Sequence, residues 1–395
     1  MRRLRPCSSV TAMTFVPSST TYTKFFRDSR RSAMSKCTIL VELDDPTRQY
    51  VPGDLVSGEV HVTVDSDCKC DALMVELAWE THGRGNHAEG VSTLDIPFQG
   101  TWSAGDEHTY PFRFTVPNGP YTYHGHYLNV DWYVRARADI PWAIDPKGKA
   151  DFLVGPGPKT DPASYINTDE WHDGLDTKQA PSAANAGCLF FFGMVFGGFG
   201  VFMMMMILAT GGDAGASVMA ALGGLVFLAI GGSMMFAAVR NPLAQKKLGT
   251  VEVTLPDEVL HPGNSLPVTV TLDADARDDI TIATATLMCR ERVVSGSGTN
   301  KSTHTEDILV EPLELEETAG APGGRMVLEA LHRLPQDAAP SFYADDNELL
   351  WLVEVHVDVP NWPDYKEERF FEVRPGVGRG AGEEKKPALE AGAVW

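Results

Sequence analysis

Charge is missing from the middle of this chain. From Ala186 to Val239 the one charged side chain is Asp213, and no histidine occurs. Two apolar runs, 186–210 and 215–239, are separated there by Gly211-Gly212-Asp213-Ala214. As a helix each run of about 25 residues would reach ~37 Å, more than the ~30 Å hydrocarbon core of a bilayer. A core helix of a soluble protein usually keeps a polar stripe, which neither run has. The expectation is a transmembrane α-helical hairpin over 186–239, an integral anchor of two spans with the soluble segments before and after it on one side. No acid, base or imidazole inside the spans offers a proton or ion path. Lys178 before the hairpin and Arg240, Lys246 and Lys247 after it put both soluble parts in the cytoplasm by the positive-inside rule.

Other absences exclude whole classes of function. Six cysteines without an even framework fit a reducing compartment, so the Asn300-Lys301-Ser302 sequon is chance. No phosphate-cradling loop, metalloprotease helix or serine elbow occurs, and Ser295-Gly296-Ser297-Gly298 has the composition of a hairpin tip. Catalytic residues and a cofactor are therefore not expected. His124-Gly125-His126 and Cys68-Lys69-Cys70 are the best metal candidates by residue type. One residue between the members of each pair is not the spacing of a zinc finger or ribbon, so no metal is expected. A net charge of −20 argues against nucleic acid as a partner. Only residues 1–33 are basic, rich in Ser and Thr and without an apolar core, which excludes a secretory signal. They read as a disordered extension ahead of a start at Met34, or as a transit-type leader.

Around the hairpin the chain reads as short strands. Val56, Gly58, Val60, Val62 and Val64 alternate with polar residues, as do Leu73, Val75, Leu77 and Trp79, and the long run from Leu128 to Ala138. Period-two patterning of this kind belongs to half-buried antiparallel strands. The pattern then repeats. Pro52-Gly53-Asp54 and Pro262-Gly263-Asn264 each open a strand, and Trp132, Val134, Ala136, Ile140, Pro141, Phe152 and Val154 match Trp351, Val353, Val355, Val359, Pro360, Phe371 and Val373 at a constant offset. Seven positions in register imply a duplicated β-sandwich.

The stretches YVPGDLVSGEVHV (50–62) and YPFRFTVPNGPYTYHGHYLNVDWYVRA (110–136) resemble the amino-terminal domains of arrestin-like proteins, and 331–360 resembles the same block more loosely. That family includes the retromer subunit and bacterial sporulation-control relatives. The resemblance implies an all-β fold of two tandem arrestin-like, immunoglobulin-like β-sandwiches, here with the helical hairpin between them. It also implies an adaptor without catalytic activity. The domains are then an extension at 1–33, a first sandwich at 34–154, a flexible linker at 155–185 that lets this sandwich swing, the hairpin at 186–239, a second sandwich at 248–374, and a disordered tail at 375–395.

Several residues are candidates for contacts. Arg113, Arg135 and Arg137 lie on polar phases of the first sandwich, where they would meet an acidic or phosphorylated partner protein. Arg84 sits in the polar hairpin loop ETHGRGNHAEG, at a sandwich end where binding residues often lie. Within the hairpin, Gly193 and Gly197 on one helix and Ala216, Ala220 and Gly224 on the other form small-residue strips for close packing. A membrane-anchored adaptor or scaffold for partner proteins is the expected function. The alternative makes the hairpins the functional part, assembled into a pore or a membrane-remodelling ring.

Overall fold

Alternation sets the strands, and the apolar phase points inward. Along Leu55–Val64 the side chains of Val56, Val60, Val62 and Val64 are buried while Glu59 and Thr63 are exposed. The computed structural model describes residues 35–157, 183–210, 214–256, 259–273, 280, 282–318 and 325–376. The expected extension at 1–33 and most of the linker and tail lie outside them.

The first sandwich has one sheet of β1 (Cys37–Leu43), β3 (Leu55–Val64) and β6 (Glu107–Thr115). Its second sheet runs in the order β2 (Gln49–Tyr50), β9 (Lys147–Val154), β8 (Leu128–Asp139), β4 (Cys68–Gly83) and β5 (Glu89–Trp102), with β7 (Tyr123–His124) also on β8. The second sandwich repeats the plan. Strands β10 (Glu252–Thr254), β11 (Ser265–Leu272), β15 (Met326–Arg333) and β14 (Glu316–Glu317) form one sheet. The other has β13 (Ser302–Leu313), β12 (Ile282–Ser295), β17 (Asn347–Asp358) and β16 (Phe342–Ala344), with β18 (Tyr365–Phe371) also on β17. The order β9-β8-β4-β5 thus reappears as β18-β17-β12-β13.

The duplication extends to single hydrogen bonds. The indole of buried Trp132 donates to the carbonyl of Pro120 at 2.7 Å, and that of Trp351 donates to Ala339 at 2.9 Å. Each indole meets the matching phenylalanine, Phe152 or Phe371, at ring separations of 6.2 and 6.3 Å. In both proline-glycine turns the glycine takes a left-handed conformation, with φ +85° at Gly53 and +78° at Gly263, which favours a residue without Cβ. Asp54 and Asn264 then close the turns by accepting from the amides of Val51 and His261 at 3.2 and 2.7 Å. Burying two such indoles, each with its N–H satisfied, fixes one end of each core.

Between the sandwiches stand α1 (Ala183–Thr210) and α2 (Ala214–Leu248). Both are long and apolar enough, over Gly187–Ile207 and Ala221–Val239, to cross a membrane. Their apolar side chains are not taken up by a core. Phe191, Val195, Phe202, Met219, Leu222 and Val226 are all largely exposed. The second helix runs past the expected end of the hairpin at Val239 to Leu248, whose side chain is fully buried in the second sandwich. Gly249, at φ +72°, ends it in the left-handed cap that helix C-termini favour, and the amide of Thr250 donates to Asp273 at 2.9 Å. The two helices touch along glycines. A Cβ at Gly200 would stand 2.8 Å from the carbonyl of Gly224, one at Gly193 would stand 2.6 Å from Met235, and one at Gly231 would stand 2.6 Å from the carbonyl of Gly193. Gly197 lies under Gly231, although its own Cβ direction is open. Ala216 and Ala220 lie near the start of α2, outside the residues whose side chains are described. Gly200 and Gly231 therefore join Gly193 and Gly224 at the contact. Replacing Gly231 by leucine is expected to push the helices apart and cost the hairpin about 1–3 kcal/mol. Unfolding of the chain titrated with denaturing detergent will measure it, and an unchanged midpoint would refute the contact.

Candidate functional site

The most constrained polar group in the molecule lies where the two sandwiches meet. On β12 the inward phase reads Ala285, Leu287, Cys289, Glu291, Val293, and all five are buried, so a carboxylate occupies a core position. Glu291 projects out of its own sandwich into the turn that precedes β8. Its Oε1 accepts from the Tyr123 hydroxyl at 2.6 Å and the His126 amide at 3.0 Å. Its Oε2 accepts from the amides of Tyr127 at 2.6 Å and Leu128 at 3.3 Å. Successive amides converging on one anion form a nest, which here offsets the cost of removing the carboxylate from water. Burial and the neighbouring carboxylate push the Tyr123 hydroxyl far above its ordinary range, so it stays a donor. Gly125 is required by space, because any Cβ there would collide with Glu291 Oε1.

The polar hairpin loop of the first sandwich completes the junction. Asn86 donates to the Gly296 carbonyl at 2.9 Å and to Asp346 at 2.6 Å, and accepts from the Gly296 amide at 3.0 Å. Buried Asn347 donates to the Asn86 carbonyl at 2.7 Å. The Asn86 amide, with Lys301, holds the Asp346 carboxyl below the usual carboxylate range. Trp79 packs its ring edge to face with Phe342 at 5.9 Å. The loop expected to meet an outside partner is thus docked on the chain's own second half. Arg84 lies exposed at its tip, its guanidinium 5.3 Å from the centre of the Tyr127 ring in a cation–π contact.

The other expected contact residues do not converge. Arg113 lies exposed on β6, in the three-stranded sheet, whereas Arg135 and Arg137 lie on β8 in the opposite sheet. Arg135 is occupied, donating to Glu76 at 2.7 Å, Glu80 at 3.2 Å and Glu89 at 2.6 Å. Arg137 is exposed, with a guanidinium nitrogen 3.8 Å from Met74 sulfur. The two metal candidates are held apart by register. Ala72, beside Cys70, pairs with Asp139 at the end of β8, whereas Gly83 pairs with Leu128 at its start, so the CKC and HGH segments occupy opposite ends of the sheet. Burial pushes the Cys37 thiol up to about 12 and the Cys70 thiol up to about 11, which leaves both as inert core side chains.

A family described as SpoOM protein, Spo0M, matches residues 39–162, which cover the first sandwich. That family has an arrestin-like fold, in keeping with the resemblance read from the strands and turns. Among solved structures, the crystal structure of Spo0M, a sporulation control protein from Bacillus subtilis, is 21% identical over 33% of this chain and 53% of its own, with a TM-score of 0.28. The chain thus matches about half the length of that protein. No curated protein matches.

Glu291→Ala would leave three amides and a hydroxyl without their acceptor, a loss of about 3 kcal/mol or more. The expected result is that the sandwiches come apart before either unfolds, seen as two denaturant transitions and a larger radius of gyration by small-angle scattering. Gly125→Ala should do the same from the other side of the contact. A second expectation concerns pH. His124 Nε2 lies 2.7 Å from Asp131, and this hydrogen bond raises the histidine above its ordinary value. Its contribution to stability is therefore full below the ordinary histidine range and disappears as pH rises through the raised value. An NMR titration should show the raised midpoint for His124, and Asp131→Asn should bring it back down.

Proposed function

We propose that this chain is a membrane-anchored, arrestin-like adaptor whose two sandwiches hold partner proteins at the cytoplasmic face of a bilayer. The observation that carries the reading is the pair of apolar helices between two sandwiches that dock on each other. Helices whose described apolar side chains are largely exposed away from their mutual glycine contact are suited to a lipid environment. Sandwiches joined through Glu291 and Asn86 must lie on one side of that lipid, and only an even number of spans returns the chain there. The basic flanks Lys178, Arg240, Lys246 and Lys247 favour the cytoplasm as that side. The match to the Spo0M family supports a regulatory or adaptor role.

The second reading is the assembly of hairpins into a pore or membrane-remodelling ring. The glycine contacts between α1 and α2 favour it to the extent that small-residue packing serves helix association, but the spans carry no polar stripe to line a water path. The test replaces 186–239 by an unrelated two-span hairpin and captures partners from gently solubilised membranes. Adaptor function predicts an unchanged set of partners, and substitution of the first sandwich's exposed sheet face should abolish it. Loss of capture after the hairpin exchange, at an unchanged membrane level, would overturn the adaptor reading.

A further inference from the structure

On the outer face of the first sandwich, next to the domain junction, the strand register places three carboxylates in one row. Glu80 on β4 is directly opposite Glu89 on β5 and directly opposite Asp131 on β8. Like charges in directly opposed positions destabilise a sheet, so this row needs cations. Arg135 and Lys149 supply two, against Glu76, Glu80, Glu89, Asp131 and Asp151 on the same face. Three histidines, His82, His87 and His124, also face the row, with Lys147 acting on Glu89 and the Tyr133 hydroxyl against His82.

Their geometry divides the two oxygens of Glu80 between different tasks. Oε1 is held by the Arg135 guanidinium at 3.2 Å, which fixes the carboxylate plane. Oε2 faces two imidazoles, with His82 Nε2 at 3.7 Å and His87 Nε2 at 3.9 Å. Glu80, His87 and Glu89 each offer a ligand atom within 4.8 Å of the other two. Donors bound at about 2.0–2.1 Å to a tetrahedral ion stand about 3.4 Å apart, so closing on an ion shortens the two Glu80–histidine distances by about half an ångström and the others in the group by up to about 1.4 Å. His82 and His87 have room to do so, with side chains 38% and 55% exposed, while Glu80, at 11%, is fixed. Nitrogen donors with carboxylates are the set that zinc and its neighbours prefer over magnesium or calcium. Two groups compete with an ion: the Lys149 ammonium, at a loose 3.4 Å from the same oxygen and half exposed, and the Tyr133 hydroxyl, 2.7 Å from His82 Nε2.

We propose that Glu80, His82 and His87, with Glu89 beside them, form a binding site for a divalent transition-metal ion of the zinc type. Arg135 acts as the positioning residue that orients Glu80, and the ion displaces Lys149 from Glu80 and the Tyr133 hydroxyl from His82. This assignment differs from the sequence expectation, which weighed His124-Gly125-His126 and found no metal. Glu80, His82, His87 and Glu89 all belong to the segment ETHGRGNHAEG, and it is the strand register, with Glu80 directly opposite Glu89, that brings them together.

The test titrates the tag-free full-length chain in detergent micelles with Zn2+ by calorimetry and with Co2+ by visible absorption. One ion per chain and an intense tetrahedral Co2+ band are expected. His87→Gln should weaken binding at least tenfold, the His82→Gln, His87→Gln pair further, and Lys149→Met should strengthen it severalfold. Because His87 is largely exposed, an unchanged unfolding curve for His87→Gln separates loss of a ligand from loss of the fold. Wild-type affinity in the double variant, weaker binding in Lys149→Met, or a weak octahedral Co2+ spectrum would each overturn the assignment.

Discussion

A buried carboxylate reaching from one sandwich into the other is the interaction on which the arrangement of this molecule depends. An apolar side chain at position 291 would suit the second core, but it would leave the amides of His126, Tyr127 and Leu128 facing no acceptor at the end of the first. The first sandwich alone would expose that nest to water, and the second alone would leave the Glu291 carboxylate without its four donors. Each half completes the other. The internal repeat makes the specialisation visible: Thr81 opposes Val130 where Glu291 opposes Leu349, so the two polar residues occupy equivalent places in the copies. Thr81 is satisfied locally by exchanging hydrogen bonds with Ala88, whereas Glu291 is satisfied across the junction.

Much of the fold is legible in the sequence because it rests on local period-two patterning and on a repeat that survives at matched offsets. The paired tryptophans, the paired phenylalanines and both proline-glycine turns fall where the repeat puts them. The junction is legible only in hindsight. Asn86 and Asn347 are far apart in the chain, and polar loop residues look the same whether they face water, a partner or their own second half. One signal was present: Glu291 sits on the apolar phase of an otherwise alternating strand, between Cys289 and Val293. A charged residue on an inward phase asks for donors from elsewhere. The arginines on polar phases carried no such signal, because a solvated ion-pair face and a binding face have the same pattern, and Arg135 belongs to the former.

The acidic row of the first sandwich and the buried junction lie at the same end of that domain and use adjoining residues. Tyr123 and His124 are neighbours in β7, one donating to Glu291 and the other facing Asp131. The loop from Gly83 to Glu89 likewise holds Asn86 in the junction and His87 on the outer face. Events on the exposed face and the seating of the two domains therefore share backbone, without any element being long enough to separate them.

The end of α2 carries a mechanical consequence. Leu248 belongs both to the helix and to the buried core, and only Gly249, Thr250 and Val251 separate the helix from β10. A sandwich joined in this way has no swivel. In the membrane-anchored arrangement proposed above, its attitude toward the lipid plane would follow the lean of the helix as a tiller follows a rudder post, and through Glu291 the first sandwich would follow in turn. Whatever leaned the helix in that arrangement, whether bilayer thickness or a neighbouring span, would then be felt as rotation at the outermost loops of both domains.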